Sequence, residues 1–181
     1  MQEKTVRLHN LTFKRSISAA QIAERTEQIG ADLNTDYADK NPIFLAMLNG
    51  AFVFTADLVR QFRGNCELSF VKLNSYAGTE STGDLMTRIG LETKVRGRHV
   101  IVTEDIVDTG NTMYQFLREL EELQPASVEI ASLLVKPDAL EHDVRIKYVG
   151  FRIPPEFVIG YGLDYDGLGR NYPDIYRLQE S

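Results

Sequence analysis

Short, nearly continuous apolar runs recur along the chain, and segments with a helical spacing of apolar residues separate them. The run at 43–48 (IFLAML) is typical, since it follows Pro42 and ends at Asn49-Gly50. A strand that helices cover on both faces, as in a parallel sheet, carries such an unbroken apolar run. The other predicted strands lie at 68–73, 99–102, 128–135 and 148–153, and a later extended segment lies at 157–163.

Between these runs, apolar residues return every three or four positions, which predicts amphipathic helices. Ser16 to Ser18 mark the entry of the first helix, because a serine there can cap free backbone N–H groups. The apolar positions of the predicted helices are Ile22, Ile29 and Leu33; Phe52, Val59 and Phe62; and Met113, Phe116, Leu117, Leu120 and Leu123. Strands that alternate with helices indicate an α/β fold with a parallel sheet and right-handed crossovers. Ligands of such folds bind at the carboxyl ends of the strands.

The length and the two ends of the chain bear on its domain organisation. A chain of 181 residues suits a single domain, 1–181. The strand–helix alternation gives a core of about 36–153, and the segments at about 1–17 and 154–181 lie outside it. These outer segments are predicted to form a small hood lobe over the sheet. The polar segment from 74 to about 96 favours a lid or binding loop, with a short β-ribbon around 85–91.

Composition and charge exclude several classes of function. A formal net charge of −6 disfavours nucleic acid as a partner, because nucleic-acid binding needs a dense basic surface. No apolar run approaches the roughly 20 residues that span a bilayer, and the first ten residues lack a signal-peptide profile. The single cysteine, Cys66, forms no intrachain disulfide, which fits a reducing compartment. We therefore expect a soluble, cytoplasmic protein with no membrane partner.

Two adjacent carboxylates follow the third apolar run. The strand that includes 100–103 continues directly into Glu104 and Asp105. Carboxylates at the end of a buried strand are costly unless another group stabilises them. Two sugar hydroxyls would supply hydrogen-bond donors, and Mg²⁺ would supply positive charge. The alternative is that both carboxylates are simply solvated.

The segment after these carboxylates, 108–112 (DTGNT), connects the strand to the third helix. Gly110 permits close backbone approach, the helix N-terminus directs free N–H groups outward, and Thr109 and Thr112 add hydroxyl donors. Together these groups make an anion site that suits one phosphate. The alternative is that Asp108 or Thr109 merely caps the helix.

The whole string 100–112 (VIVTEDIVDTGNT) resembles the phosphoribosyl pyrophosphate motif of the type I phosphoribosyltransferases, and is closest to their hypoxanthine-guanine branch. The resemblance implies that Glu104 and Asp105 engage the ribose 2′ and 3′ hydroxyls. It also implies that Asp108 lies near N7 of a purine as general base, a role suited to a positioned carboxylate. The 5′-phosphate would be bound by Thr109, Gly110, Asn111 and Thr112.

The same resemblance implies a pyrophosphate site. Leu48, Asn49 and Gly50 stand where this family has its pyrophosphate loop, which commonly contains a non-proline cis peptide. Asn49 replaces the Lys or Arg that is frequent there, so a side-chain cation contact is lost while backbone recognition can remain. Arg170 matches a residue that binds pyrophosphate, a task that suits a guanidinium group. The alternative for 48–50 is an ordinary strand-to-helix turn.

The remaining implied residues concern the purine, the metal and a lid. Lys136 would donate to the 6-oxo group of the purine, because lysine offers donors only. Phe157 would stack on the base, and Val158 would contact its edge through the backbone. Asp164 matches a residue of the purine site that is also a direct Mg²⁺ ligand, with Glu104 and Asp105 as further candidate ligands. Ser75 and Tyr76 match the start of the catalytic lid.

Three histidines show no metal-ligand spacing, and scaffold or surface roles are expected for them; they are His9, His99 and His142. The resemblance implies a purine salvage enzyme that uses Mg²⁺ and transfers ribose 5-phosphate from phosphoribosyl pyrophosphate to hypoxanthine or guanine. The products would be the nucleotide, IMP or GMP, and pyrophosphate. A homodimer or homotetramer is the family expectation. Three alternatives stay open: another nucleobase such as xanthine or a pyrimidine, a regulator that binds phosphoribosyl pyrophosphate or nucleotides, and a nucleotide-binding module without catalysis.

Overall fold

The computed structural model describes residues 4–73, 86–87 and 95–179, and these residues form two β-sheets and three α-helices. In chain order the elements are β1 (Thr5–Leu8), β2 (Leu11–Ile17), α1 (Ala19–Tyr37), β3 (Ile43–Leu48), α2 (Phe52–Gln61), β4 (Glu67–Leu73), β5 (Met86–Thr87), β6 (His99–Val107), α3 (Asn111–Glu122), β7 (Ser127–Val135), β8 (Tyr148–Arg152), β9 (Val158–Ile159) and β10 (Ile175–Leu178). A short 3₁₀ helix, Pro137–Ala139, follows β7.

The larger sheet has the strand order β5-β4-β3-β6-β7-β8, and all its neighbours are parallel except β4 and β5. Successive residues of β3 pack on opposite faces, as the two-residue period of a strand requires. Phe44 joins the core cluster formed with α1 and α2, whereas Ile43 and Leu45 join the cluster formed with α3. Helices therefore cover both faces, which confirms the parallel α/β fold predicted from the apolar runs.

The helices start and end as local chemistry dictates. Ser18 caps α1 in a capping box, in which its hydroxyl accepts from the Gln21 N–H and the Gln21 side chain accepts from the Ser18 N–H. α1 has 19 residues and buries the predicted apolar positions Ile22, Ile29 and Leu33. Among the residues that the structure describes, no helix has both the length and the apolarity to cross a membrane.

β6 is longer than predicted, since it ends at Val107 instead of 102. Its pairing with β3 ends at Thr103, opposite Ala46, while its pairing with β7 continues to Val107. The second half of β6 is therefore hydrogen-bonded on one side only. The prediction was wrong because it relied on apolar character, and this half carries the adjacent acids Glu104 and Asp105. These acids lie within the strand and not beyond its end.

The smaller sheet is antiparallel, in the order β1-β2-β10-β9, and it joins the two ends of the described chain. Leu8, Phe13, Ile159 and Tyr176 form its buried cluster. The extended segment predicted at 157–163 is wrong beyond Ile159. There the chain turns tightly, because the Gly160 N–H donates to the Leu163 carbonyl at 3.0 Å.

Asp174 connects this smaller sheet to α1. Its carboxylate is buried and accepts from Lys4 Nζ at 2.8 Å, from the Ala19 N–H at 2.8 Å and from the Tyr176 hydroxyl at 3.1 Å. Burial raises the pKa of this carboxyl, but the three donors outweigh it and hold the pKa below its usual value of 3.8. Three segments that are distant in sequence thus meet at one ionised group.

Asp174→Asn is expected to lower the free energy of unfolding at pH 7 by about 1–3 kcal/mol, because a charged acceptor is lost from a buried network. A carboxyl whose pKa is lower in the folded state stabilises the fold above the unfolded pKa of about 3.9, and this contribution disappears as pH falls through the folded pKa. The difference in the free energy of unfolding between wild type and the variant should therefore shrink below about pH 4. Urea denaturation at pH 7 and at pH 3 measures both effects.

Asp32→Asn is the matched control, because Asp32 is an exposed aspartate of α1. Its substitution should change the free energy of unfolding by no more than about 0.5 kcal/mol. Equal stability of wild type and Asp174→Asn at pH 7 would show that the Asp174 network contributes nothing.

Candidate active site

The loop between β3 and α2 begins the site. The Leu48–Asn49 peptide bond is cis, as the family resemblance implies. Gly50 is buried, and a Cβ atom on it would lie 1.5 Å from Oδ2 of Asp105. Only glycine fits this approach, so residues 48–50 are packed directly against the acidic half of β6. The alternative of an ordinary strand-to-helix turn does not describe this geometry.

Glu104 and Asp105 are both partly buried. Burial raises the pKa of Glu104 well above its usual value, and the neighbouring Asp105 adds to this shift. The Ile106 N–H donates to Oδ1 of Asp105 at 2.9 Å, and the Asp105 N–H donates to Oε1 of Glu104 at 3.2 Å. The alternative that these acids are simply solvated is therefore wrong. The pair is a concentrated source of acceptors that a donor-rich or cationic ligand would stabilise.

The turn after β6 encloses a small cavity of about 120 Å³, whose lining residues lie between Glu104 and Met113. Gly110 precedes the first residue of α3 and has φ +80°, a left-handed conformation that favours glycine. The residue that caps α3 is Gly110 and not Asp108 or Thr109, although the Thr109 hydroxyl accepts from the Asn111 N–H at 3.4 Å. The other N–H groups of the first turn of α3 have no side-chain cap, which leaves the cavity suited to an anion.

Lys136 and Asp108 form an ion pair at this turn, with 2.5 Å between Nζ and Oδ2. The lysine side chain is only 10% exposed, whereas the aspartate is half exposed. The Lys136 N–H donates to the Val107 carbonyl at 3.0 Å, which fixes the end of β7 against the end of β6. Two residues that the resemblance assigned to neighbouring positions of a purine, N7 and the 6-oxo group, are thus in direct contact.

Asp164 and Arg170 form a second ion pair, with 2.6 Å between Oδ1 and Nη2. The Gly167 N–H donates to the other carboxylate oxygen at 2.7 Å, and Arg170 Nη1 donates to the Gly162 carbonyl at 2.6 Å. A Cβ on Gly162 would lie 2.0 Å from the Gly50 carbonyl oxygen. The segment that carries this ion pair is therefore packed against the 48–50 loop.

Val158 begins β9 of the smaller sheet, and Phe157 directly precedes it. The Phe157 ring is 42% exposed, and its centroid lies 5.9 Å from that of Phe13 and 5.7 Å from that of Tyr165. Val158 is buried in β9. Within the described part of the chain, no hydrogen bond or ring contact joins Phe157 to Lys136. The predicted lid residues, Ser75 and Tyr76, lie outside the described residues.

The residues that surround Asn111 were not predicted from the sequence. The Asn111 side chain contacts Glu141 and His142, and the His142 ring stacks on Tyr114. His142 was expected to have only a scaffold or surface role. No local pattern reveals this cluster, because its two halves are about 30 residues apart.

Groups of three or more His, Cys, Asp or Glu side chains that could hold a metal are absent from residues 4–73, 86–87 and 95–179. The carboxylates available are the pair Glu104 and Asp105, of which Asp105 lies against Gly50, and Asp164, whose segment is packed against the Gly50 carbonyl through Gly162. Oxygen donors of this kind fit Mg²⁺, which is commonly bound by one or two carboxylates together with substrate oxygens and water.

Two carboxylates and a phosphate-sized turn lie at one edge of the parallel sheet of this α/β protein, the edge at which such folds bind their ligands. The family model of the phosphoribosyl transferase domain matches residues 17–166. The chain belongs to the phosphoribosyltransferase family, which confirms the resemblance found in residues 100–112.

Individual relatives agree with this assignment. The chain is 41% identical over 161 residues to a hypoxanthine-guanine-xanthine phosphoribosyltransferase of Tritrichomonas foetus, covering 88% of each protein. It is 40% identical over 174 residues to a hypoxanthine-guanine phosphoribosyltransferase of Streptococcus pneumoniae, covering 96% of this chain and 97% of the relative. A hypoxanthine phosphoribosyltransferase from Trypanosoma cruzi, solved in complex with the product IMP, is similar with a TM-score of 0.85 and 32% identity, over 96% of this chain and 98% of that one. The predicted type I phosphoribosyltransferase fold is confirmed.

Proposed function

We propose that the chain is a purine salvage enzyme, which transfers ribose 5-phosphate from phosphoribosyl pyrophosphate to hypoxanthine or guanine. The observation that carries this proposal is the ion pair of Lys136 and Asp108 beside the turn at 109–112. It puts a donor for a 6-oxo group and an acceptor for a ring proton in one place. The names of the relatives from Tritrichomonas foetus and Streptococcus pneumoniae support the same reaction.

The donor substrate would be bound along the edge of the larger sheet. The 5′-phosphate would occupy the cavity of the 109–112 turn, beside the N–H groups at the start of α3. The ribose hydroxyls would donate to Glu104 and Asp105. The pyrophosphate would lie against the backbone of the 48–50 loop. Arg170 would supply a cation there, since Asn49 supplies none.

The purine would enter between the turn at 109–112 and the smaller sheet. Lys136 would donate to its 6-oxo group, Phe157 would stack on its face, and the Val158 backbone would contact its edge. A bond forms between purine N9 and ribose C1′, while the bond from C1′ to pyrophosphate breaks and its electron pair leaves with pyrophosphate. The proton released by the purine ring goes to Asp108.

Mg²⁺ would be held by Asp164, with Glu104 and Asp105 as further candidate ligands, and the metal neutralises charge on the pyrophosphate when it is bound. Asp164 is now paired with Arg170, so the arginine would move between its carboxylate and the pyrophosphate. The smaller sheet would act as a hood over the bound purine within a single domain, 1–181. Residues 75–76 would begin a lid that excludes water from the activated sugar.

Nucleotide formation tests the reaction directly. The purified chain is incubated with phosphoribosyl pyrophosphate, Mg²⁺ and one base at a time: hypoxanthine, guanine, xanthine, adenine or uracil. We expect IMP and GMP with release of pyrophosphate, and no product from adenine or uracil. Xanthine is included because the name of the Tritrichomonas foetus relative contains it. A folded, metal-supplied sample that forms no nucleotide from any 6-oxopurine would refute the proposal, and omission of Mg²⁺ tests the metal.

Lys136→Ala is expected to raise KM for hypoxanthine by about 10- to 100-fold, because a buried charged donor to the 6-oxo group is lost. The preference for hypoxanthine over adenine should narrow at the same time, since the 6-amino group of adenine no longer meets the Lys136 ammonium group. Steady-state kinetics with hypoxanthine, alone and in competition with adenine, measure this change. Lys147→Ala is the control, because Lys147 also forms an ion pair, with Asp36 at 2.8 Å, but lies outside the site. Unchanged base kinetics in Lys136→Ala would remove Lys136 from the purine site.

The assembly and location of the protein complete the proposal. We expect a homodimer or homotetramer, which light scattering coupled to size-exclusion chromatography would measure. We also propose a cytoplasmic location, which the single cysteine supports.

A further inference from the structure

The loop that follows Lys136 contacts the turn at 109–112, which is called the phosphate turn below. The Asn111 side chain donates from Nδ2 to Oε2 of Glu141 at 2.8 Å and to Oγ1 of Thr109 at 3.2 Å. Its Oδ1 lies 2.5 Å from Nε2 of His142. An amide oxygen can only accept, so Nε2 of His142 carries the proton and donates. Glu141 at Nδ2 and His142 at Oδ1 therefore fix the orientation of the Asn111 amide.

The histidine is itself fixed by a ring contact. The His142 and Tyr114 rings are stacked, with centroids 4.5 Å apart and planes 9° apart. Tyr114 lies three residues after Asn111 on α3, so both side chains are on one face of the helix. The ring therefore cannot turn away from Asn111 without losing this contact.

Backbone and apolar contacts join the same two segments. The Glu141 N–H donates to the Thr109 carbonyl at 2.9 Å. A Cβ on Gly110 would lie 3.3 Å from side-chain atoms of both Leu140 and Val144. Residues 140–144, none of which lines the cavity, thus contact three consecutive residues of the turn.

We propose that His142 and Glu141 are positioning residues for the 5′-phosphate site, acting through Asn111. The inference rests on the proposed function of the turn as the phosphate site. Gly110 gives the turn its left-handed conformation but also extra freedom when unbound, and ordering that freedom on binding lowers affinity. The contacts to Asn111 hold the N–H groups of the turn in place before the phosphate arrives.

Three variants test the role of the donor. His142→Phe keeps a ring against Tyr114 but removes the donor, whereas His142→Gln restores an N–H donor of similar reach. We expect His142→Phe to raise KM for phosphoribosyl pyrophosphate about fivefold, the worth of one hydrogen bond, with kcat and KM for the purine little changed. His142→Gln should recover most of the wild-type KM. His99→Phe is the control, because His99 also bonds a hydroxyl, Ser127 Oγ at 2.8 Å, and lies near Tyr37, but stands at the other end of β6.

Direct binding separates this inference from the proposed reaction. Calorimetry with ribose 5-phosphate and with IMP needs no turnover, and both ligands should bind about fivefold more weakly to His142→Phe. Inosine, which lacks the phosphate, should bind wild type and variant equally. If wild type forms no nucleotide, the reaction is refuted while these binding ratios still decide the positioning role.

The inference is overturned if His142→Phe binds ribose 5-phosphate as wild type does, or if inosine binding falls in parallel with IMP binding. It is also overturned if His142→Gln is as impaired as His142→Phe, since the donor would then be irrelevant. Should His142→Phe fail to fold, Glu141→Ala removes the other partner of Asn111 from an exposed position and carries the same test.

Discussion

Asp108→Asn is expected to lower kcat for IMP formation by about 10²–10⁴-fold, the usual contribution of a positioned general base. Asparagine has nearly the same shape as aspartate but cannot accept the proton that the purine ring releases. The ion pair with Lys136 also ends, but lysine can still donate to the amide oxygen of asparagine. We therefore expect KM for phosphoribosyl pyrophosphate to change far less than kcat. Single-turnover measurements isolate the chemical step from product release.

Two further measurements make this prediction specific. The reverse reaction, from IMP and pyrophosphate, should slow by a similar factor, because the group that accepts the proton in one direction returns it in the other. Asp138→Asn is the matched control, since Asp138 is an exposed aspartate in the short helix after Lys136. An Asp108→Asn enzyme with wild-type kcat in both directions would exclude Asp108 as the base.

The two ion pairs of the site suggest how it stays folded before substrates bind. Lys136 pairs with Asp108, and Arg170 pairs with Asp164, so each charged group has an opposite charge within 2.6 Å. A buried or half-buried charge without a partner is costly, and the pairs remove that cost in the free protein. Substrates carry both phosphate charges and a 6-oxo acceptor. They would take over the cations, leaving the carboxylates to bind metal and protons.

The larger sheet was predictable because its strands are short and apolar on both faces. β3 was predicted at its observed bounds of Ile43–Leu48, and Asn49-Gly50 marks its end. β6 shows the limit of this reasoning, since its second half is strand despite the acids Glu104 and Asp105. Hydrogen bonds to β7 hold that half extended, and such pairing cannot be read from the local sequence.

For the same reason, contacts between distant segments could not be predicted from the sequence. The motif at 108–112 indicated an anion site. The contacts that hold the Asn111 side chain depend on His142, which has no motif of its own. Asp174 likewise has no motif of its own. It is buried because the two ends of the described chain share one sheet, and its partners Lys4 and Ala19 stand at least 155 residues away.

Gly50→Ala is expected to reduce kcat/KM for phosphoribosyl pyrophosphate by about 100-fold, the effect of a displacement of roughly 1 Å at a reacting site. The added Cβ would meet Oδ2 of Asp105 at 1.5 Å, so that carboxylate must rotate away from its place in the site. The rotation breaks the hydrogen bond from the Ile106 N–H, which costs about 1 kcal/mol of stability. Activity should therefore fall much more than stability.

Gly97→Ala provides the contrast. Gly97 has φ +70° and no heavy atom within 4 Å of a Cβ, so alanine is strained by about 1–2 kcal/mol but displaces nothing. Its stability should fall at least as far as that of Gly50→Ala, while its kcat/KM should match wild type. A double-mutant cycle tests whether Gly50→Ala acts through Asp105. If Gly50→Ala acts by moving Asp105, then Asp105→Ala should cost little further activity in the Gly50→Ala background, and fully additive losses would show that the glycine acts through another group.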